Sequence, residues 1–289
     1  MASDSFPSLG ELLRWGKERL KSAAIEDYNI SAEVLLRDIY TLSRAELHTN
    51  LNIVPDRSGI EKYEEYIQRR SAREPLQYIT GTTEFFNIIV KCDPRALIPR
   101  PETEILVEAV IDRLKGIKKP KILDIGTGSG NIAIALAKNI EDAEVVAVDI
   151  SSDAIELARS NAELNDISER VLFRIGDIGD RGFIQSLGEF NCVASNPPYV
   201  SEDQKDIIQP EVIKFEPEIA LFSPGDPLHF YQIIIESSDD LMLVDGLLAV
   251  EVGMGQASKV KDLMLSANFY DVEIIRDLAG VERIVTGRE

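Results

Sequence analysis

The sequence predicts an α/β protein: a mostly parallel, seven-stranded sheet preceded by a small all-α region and a β-hairpin linker. Three observations carry this. From Lys121 onward, short apolar runs alternate with amphipathic stretches, the pattern of strands and the helices that cover them. The first of those strands runs into Gly126-Thr127-Gly128-Ser129-Gly130, with a helix beginning at Asn131. Residues 8–75, by contrast, carry only helical periodicity.

Leu9, Leu12, Leu13 and Gly16 open the first amphipathic period, with Ser8 as its cap. Ser31, Val34, Leu35 and Ile39 make a second. Ile60, Tyr63, Glu64 and Ile67 make a third, separated from the second by Pro55 and Gly59. Four or five short helices packed as a bundle follow from this, with Trp15 in their core. Past Pro75, Gln77–Gly81 and Glu84–Val90 suggest β structure, as a hairpin or two short strands. Pro101 suits the first turn of the next helix, and Glu102 and Glu104 suit its positive end while shaping the pocket. Strands are expected at 121–125, 145–149, 171–175, 191–195, 247–252, 271–277 and 282–286. Helices are expected at 130–139, 152–164, 228–240 and 256–267. The last two strands are close enough to pair antiparallel. The chain divides accordingly into 1–82, 83–104 and 105–289.

The chain has 289 residues and a formal net charge of −19, from 31 Lys/Arg and 50 Asp/Glu. That balance opposes broad attraction to nucleic acid. Most of the negative charge lies beyond residue 82; the helical region is nearly neutral and carries Arg69, Arg70 and Arg73, a solvated helix face or a docking patch. No apolar run is long enough for a membrane span, and Met1–Gly10 does not read as a secretory leader. Cys92 and Cys192 lack metal spacing and read as buried thiols of a reducing cytoplasm. Two histidines, His48 and His229, leave little material for a zinc site or a Ser-His-Asp triad, and no metal site is expected.

The glycine loop points to a nucleotide-like ligand. Glycines permit positive φ and close approach, and the following helix start presents unpaired N–H groups. Val145–Asp149, the next strand, ends in an acid placed to accept both hydroxyls of a ribose. A dinucleotide usually meets Gly-x-Gly-x-x-Gly, where the helix end neutralises a pyrophosphate. Here the spacing is Gly-x-Gly-x-Gly, with Asp124 just before it. A carboxylate there would repel a pyrophosphate but suits the cationic amino-acid end of S-adenosylmethionine. Asp177 is placed to accept the adenine amine, with Ile178 packing on the base.

Asn196-Pro197-Pro198-Tyr199 ends the strand Phe190–Ser195. Two prolines cannot continue a ladder, so the backbone leaves the sheet there. Asn196 offers both an acceptor and a donor, Pro197 a carbonyl with no N–H, and Tyr199 a flat ring. Together they suit a planar group bearing an NH2.

These residues, in this order, resemble the motifs of class I S-adenosylmethionine-dependent amino-methyltransferases, which have a Rossmann-like fold. Gln77-Tyr78-Ile79-Thr80-Gly81 and Leu97-Ile98-Pro99-Arg100-Pro101-Glu102-Thr103-Glu104 narrow the resemblance to the HemK-type glutamine methyltransferases of peptide-chain release factors. It spans about residues 8–287. Two stretches depart from that family: Phe85-Phe86-Asn87 and the loop Ser223–Leu228.

The resemblance implies S-adenosylmethionine held by Asp124, Gly126, Thr127, Gly128, Ser129, Gly130, Asp149, Asp177, Ile178 and Asn196. It implies that the Asn196 side-chain oxygen and the Pro197 carbonyl accept the two protons of a glutamine amide, while Pro198 and Tyr199 hold its side chain. It further implies a cytoplasmic enzyme whose protein substrate is a release factor, chosen by the helical region, with no direct partner in nucleic acid or membrane. Glu251, ending a late strand, reads as structural. A ribosomal-protein glutamine methyltransferase is the sibling reading. A nucleic-acid adenine methyltransferase shares the tetrapeptide but is disfavoured by charge, and a non-enzymatic binding module is disfavoured by the intact motifs.

Overall fold

The computed structural model describes residues 7–289; Met1–Phe6, part of the stretch read above as lacking a leader, lie outside them. In chain order the helices α1 (Leu9–Ser22), α2 (Tyr28–Tyr40), α3 (Arg44–Thr49), α4 (Arg57–Ser71) and α5 (Leu76–Thr80) come first. The hairpin β1 (Thr82–Phe85) and β2 (Ile88–Lys91) leads to α6 (Thr103–Arg113), β3 (Lys121–Ile125), α7 (Asn131–Asn139), β4 (Glu144–Asp149), α8 (Ser152–Leu164) and β5 (Val171–Ile175). Then come α9 (Arg181–Gln185), β6 (Phe190–Ser195), α10 (Pro210–Phe215), α11 (His229–Glu236), α12 (Ser238–Leu241), β7 (Met242–Glu251), α13 (Ala257–Ser266), β8 (Tyr270–Arg276) and β9 (Glu282–Arg288). Among the described residues, no helix is long and apolar enough to cross a membrane.

The chain forms two compact units: Met1–Gly81 with Gln209–Phe215, and Thr82–Ile208 with Glu216–Glu289. In the first, capping boxes fix the helix starts: Ser8 with Glu11, and Ser43 with Glu46. Leu12, Leu20, Leu35, Leu36, Tyr63 and Ile67 are buried together. Gly16 is a glycine because a Cβ there would lie 2.2 Å from the Tyr63 hydroxyl, which donates to the Ala32 carbonyl (3.0 Å). Trp15 is not core as expected: it is 40% exposed and meets Tyr63 edge-on. The arginine cluster is paired rather than bare, and only Arg70 is withdrawn from solvent. Arg70 is buried and donates to Asp27 (2.9 Å) and Ser31, and Arg73 donates to Glu211 (3.1 Å).

Gln77–Gly81 is also a correction, since it is helical rather than β. Pro75 supplies the first carbonyl, accepting from Tyr78 and Ile79, and Gly81 ends the turn at φ +78°. The hairpin is therefore Thr82–Phe85 with Ile88–Lys91, turned by Phe86 and Asn87 at positive φ. Pro101 and Glu102 precede α6 instead of opening it. The single helix expected at 228–240 breaks at Ser237 into α11 and α12.

The seven strands run in the order β5-β4-β3-β6-β7-β9-β8. The first five are parallel, and β9 pairs antiparallel with both β7 and β8. Apolar residues are buried on both faces of the sheet, with α6, α7 and α8 on one side and α11 and α13 on the other. Chain order reverses at β3: the chain steps outward to β4 and β5, then returns to β6 on the other side of β3. Open sheets of this kind bind ligands beyond the carboxyl ends of the strands at such a reversal.

Candidate active site

Strand register brings the distant motifs to one rim. Ile125 is partnered with Val148 and Ser195, Asp149 with Ile175, and Ser195 with Val250. The residues at or just past those positions are therefore neighbours: Gly126, Asp149, Gly176-Asp177, Asn196 and Glu251. A cavity at this rim is lined by the loop from Ile125 to Ser129, by Asp149, Asp177 and Ile178, and by Asn196, Pro197 and Pro198. Ile98, Arg100 and Thr103 also line it, as do Pro217 and Ile219.

The loop leaves room for a ligand. Gly126 and Gly128 have φ of +68° and +54°; a Cβ on Gly126 would meet nothing within 4 Å, and one on Gly128 only the Ala96 Cβ at 3.8 Å. Gly130 does different work. A Cβ there would stand 3.0 Å from the Ala158 Cβ, so this glycine lets α7 and α8 pack, and it does not line the cavity. Ser129 lines it, with its hydroxyl donating to Asn131 Oδ1 (3.2 Å).

Asp149 accepts the Gly128 N–H on Oδ2 (2.8 Å) and the Ser151 N–H on Oδ1 (2.9 Å). Two accepted bonds leave lone pairs on both oxygens for a ligand. Burial raises its pKa against the pull of those N–H groups. Asp177 is exposed at the rim, its Oδ1 accepting the Gly179 N–H (2.7 Å).

Asp124 corrects a sequence expectation. Its carboxylate does not line the cavity but lies fully buried, accepting the Thr127 hydroxyl (2.6 Å) and the Ala133 N–H (3.2 Å) on Oδ2. Oδ1 has no hydrogen-bond partner, and burial pushes the carboxyl up to about 7. Strand β3 is covered on both faces, so its side chain at this position points into protein, where it clamps the loop to the start of α7.

At the other end, Asn196 Nδ2 donates to Thr103 Oγ1 (3.2 Å), and Thr103 donates to Glu251 Oε2 (2.6 Å). Thr103 and Glu251 are 2% and 3% exposed. Burial, with Glu102 nearby, pushes Glu251 up to about 7, against Thr103 and Arg283. Tyr199 does not line the cavity: its ring packs beside Gly253, its hydroxyl lies 3.5 Å from Glu251 Oε1, and its carbonyl accepts the Gln256 amide (2.9 Å). Burial raises its pKa.

Sequence reading missed four residues here. Thr103 sat inside a quoted motif without a role, and Glu251 was read as structural; an acid ending an otherwise apolar strand was the available signal. Glu216 is buried and accepts the Ile98 N–H (3.0 Å) and Arg100 (2.7 Å), pinning one wall. Asn161 ties the Ser129 carbonyl (2.9 Å) to the Lys91 N–H (2.7 Å). Glu102 and Glu104 do not line the cavity: Glu104 accepts the Phe86 N–H (3.1 Å) and Glu102 pairs with Arg283. The divergent Ser223–Leu228 loop closes on itself, with the Ser223 hydroxyl donating to the Asp226 carbonyl (2.6 Å). Cys92 and Cys192 are buried free thiols.

Residues 11–81 match a family described as the PrmC N-terminal domain, and residues 118–229 match a methyltransferase domain. A release factor glutamine methyltransferase of Thermodesulfovibrio yellowstonii is 38% identical over 89% of this chain and 92% of its own. One from Geobacter sulfurreducens is 35% identical over 97% of this chain and 96% of its own. Among solved structures, the catalytic domain of hMettl16, in complex with the MAT2A 3'UTR hairpin 6, shares the fold. Its TM-score is 0.56 at 14% identity, over 80% of this chain and 82% of that one.

Proposed function

Because the chain belongs to the release factor glutamine methyltransferases, and so methylates the side-chain amide nitrogen of a glutamine in a peptide-chain release factor, we propose that the cavity holds both S-adenosylmethionine and that glutamine, and that Asn196 and Pro197 aim the amide. The observation that carries this is the single cavity lined by both the glycine loop and Asn196-Pro197-Pro198.

The residues present fit the cofactor. Asp149 keeps lone pairs for ribose hydroxyls, Gly126 and Gly128 leave space, and Asp177 and Ile178 stand where an adenine would be read. Thr127 and Ser129 complete the loop; Asp124 and Gly130 act from behind it. When bound, the cofactor supplies a methyl group on a sulfonium, and most of the reaction's driving force is its own.

The protein's task is orientation. An amide nitrogen is a poor nucleophile because its lone pair is shared with the carbonyl. Asn196 Oδ1 and the Pro197 carbonyl would accept its two protons, polarise it and fix its direction of approach. Pro198 stiffens the backbone that carries both. The helical unit would select the intact factor, since Asn196, Pro197 and Pro198 alone would read little beyond a glutamine side chain. A cytoplasmic enzyme fits a release factor as substrate.

The test is methyl transfer from labelled S-adenosylmethionine to a release factor, to the same factor with its acceptor glutamine replaced, to ribosomal protein and to nucleic acid. Label confined to the first acceptor is expected; equal or greater label in another overturns the reading. For the helical unit, Ile53→Asp on its exposed surface should raise KM for the intact factor but not for a glutamine peptide. Equal KM changes on both would reassign that unit.

A further inference from the structure

We propose that Thr103 and Glu251 are positioning residues that dictate which end of the Asn196 amide faces the substrate. This rests on the reading of Asn196 as the group that meets the glutamine amide. An asparagine side chain has an oxygen and an NH2 of nearly equal size, and nothing but its hydrogen-bond partners decides which way it sits. With Glu251 ionised, the partners here leave one answer. The Thr103 hydroxyl has a single hydrogen, and its 2.6 Å contact with Glu251 Oε2 gives that hydrogen to the carboxylate. Only lone pairs remain on Thr103 Oγ1, so it can accept but not donate. The Asn196 group 3.2 Å away must then be Nδ2, which leaves Oδ1 as the free acceptor.

Glu251 is itself held in place. It ends β7, with Val250 in register with Ser195, so its backbone is fixed beside Asn196 by the sheet. Its carbonyl accepts the Tyr231 hydroxyl (3.0 Å). Thr103 begins α6, whose start packs against that strand end. A reversed amide would point NH2 at the substrate's own NH2, two donors facing each other. While Glu251 is ionised, the chain Glu251–Thr103–Asn196 excludes that state before any substrate arrives.

The experiment is single-turnover methyl transfer to a release factor at saturating cofactor, with cofactor affinity and melting temperature measured in parallel. Thr103→Val keeps shape but removes the hydroxyl. It should lower the transfer rate about tenfold, the cost of losing one hydrogen bond that orders a reacting group, with cofactor affinity unchanged. Thr103→Ser restores the hydroxyl and should recover most of the rate. Glu251→Gln offers Thr103 either an oxygen or an NH2, so the amide loses its enforced direction, and the rate should fall several-fold. This variant carries the test if Thr103→Val does not fold. In an Asn196→Ala background, Thr103→Val should cost nothing more, because its effect passes through Asn196. Near-native rates in Thr103→Val and Glu251→Gln, alongside a crippled Asn196→Ala, would overturn this proposal alone. A normal rate in Asn196→Ala would overturn the reading beneath it. Equal losses in Thr103→Ser and Thr103→Val would show a packing role instead.

Discussion

Around Asp149 the cavity is held by bonds between close neighbours: one carboxylate gathers the N–H groups of Gly128 and Ser151, two residues on its own chain segment and the adjoining strand's loop. Around Asn196 the holding residues are remote. Thr103 lies 93 positions from Asn196, and Thr103 and Glu251 lie 148 apart. The first end uses backbone donors, with Asp124, a buried carboxyl also pushed up to about 7, clamping the loop from behind. The second ends in a carboxyl whose pKa lies near 7. The two ends should therefore fail differently: damage near Asp149 in binding of the cofactor, damage near Asn196 in turnover.

The largest effect is expected at Asn196. Asn196→Ala removes the acceptor for the substrate amide, and turnover should fall about a hundredfold or more, as when an oriented hydrogen-bonding group is removed from a transition state. Asn196→Asp keeps an acceptor but puts a negative charge near the sulfonium, stabilising the ground state more than the dispersed charge that follows. It should fall less than Asn196→Ala. Cofactor affinity measured by calorimetry should stay near native in Asn196→Ala; a parallel collapse of affinity would erase the distinction between the two ends.

Next comes Asp149→Ala. Lost charge-assisted bonds to the ribose should weaken cofactor binding about tenfold or more, at roughly 1.5–3 kcal/mol. The Gly128 and Ser151 N–H groups would lose their acceptor as well, so Asp149→Asn, which keeps one oxygen, should bind more tightly than Asp149→Ala. Unchanged affinity in both variants would remove Asp149 from the cofactor site.

The same contrast explains what the sequence could reveal. That the glycine loop, Asp149 and Asp177 meet at one rim was readable because each lies at or just past the end of a strand, inside a local motif. Strand and helix order was readable for the same reason, since periodicity is local. Gln77–Gly81 misled because its β-like composition was overridden by a turn that Pro75 starts and Gly81 stops. Tyr199 and Asp124 were expected at the ligand but do not line the cavity, because a sequence does not say which way a side chain turns. Thr103 and Glu251 acquire meaning only when sheet register sets Val250 beside Ser195.

A smaller effect is expected from pH. An ionised Glu251 takes the Thr103 hydrogen; a protonated one can give its own, freeing Thr103 to donate to Asn196 Oδ1. Turnover should therefore rise as pH climbs through about 7. The groups that bear on Glu251 are Glu102, Arg283, Thr103, Tyr199 and Tyr231, and burial raises the pKa values of both tyrosines, so they stay protonated. Glu251→Gln should flatten the profile. Stability has the opposite sign. The folded pKa lies above the ordinary carboxylate range, so the folded state binds more protons, and stability from Glu251 falls as pH rises toward 7. Glu251→Gln should then melt no lower than native at pH 8, which separates its slower turnover from unfolding. A native profile flat from pH 6 to 8 would exclude Glu251 as the controlling group.

The smallest effect concerns Tyr199. If its ring held the substrate directly, removing only the hydroxyl would change little, and removing the ring would raise KM sharply. The ring instead packs beside Gly253, away from the cavity lining, and the hydroxyl sits at 3.5 Å from Glu251, a weak contact that still favours the ionised form. Tyr199→Phe deletes that contact and nothing else. Turnover at pH 8, where Glu251 is mostly ionised, should stay within about twofold of native, since a long hydrogen bond contributes little. The midpoint of the pH profile should move upward, because the carboxylate has lost a donor that stabilised its charge. KM for a glutamine peptide should not change. A KM raised sharply by Tyr199→Ala, with an unmoved midpoint in Tyr199→Phe, would place the ring against the substrate after all; an upward midpoint in Tyr199→Phe with KM little changed in Tyr199→Ala would put Tyr199 with Thr103 and Glu251, among the groups that hold Asn196.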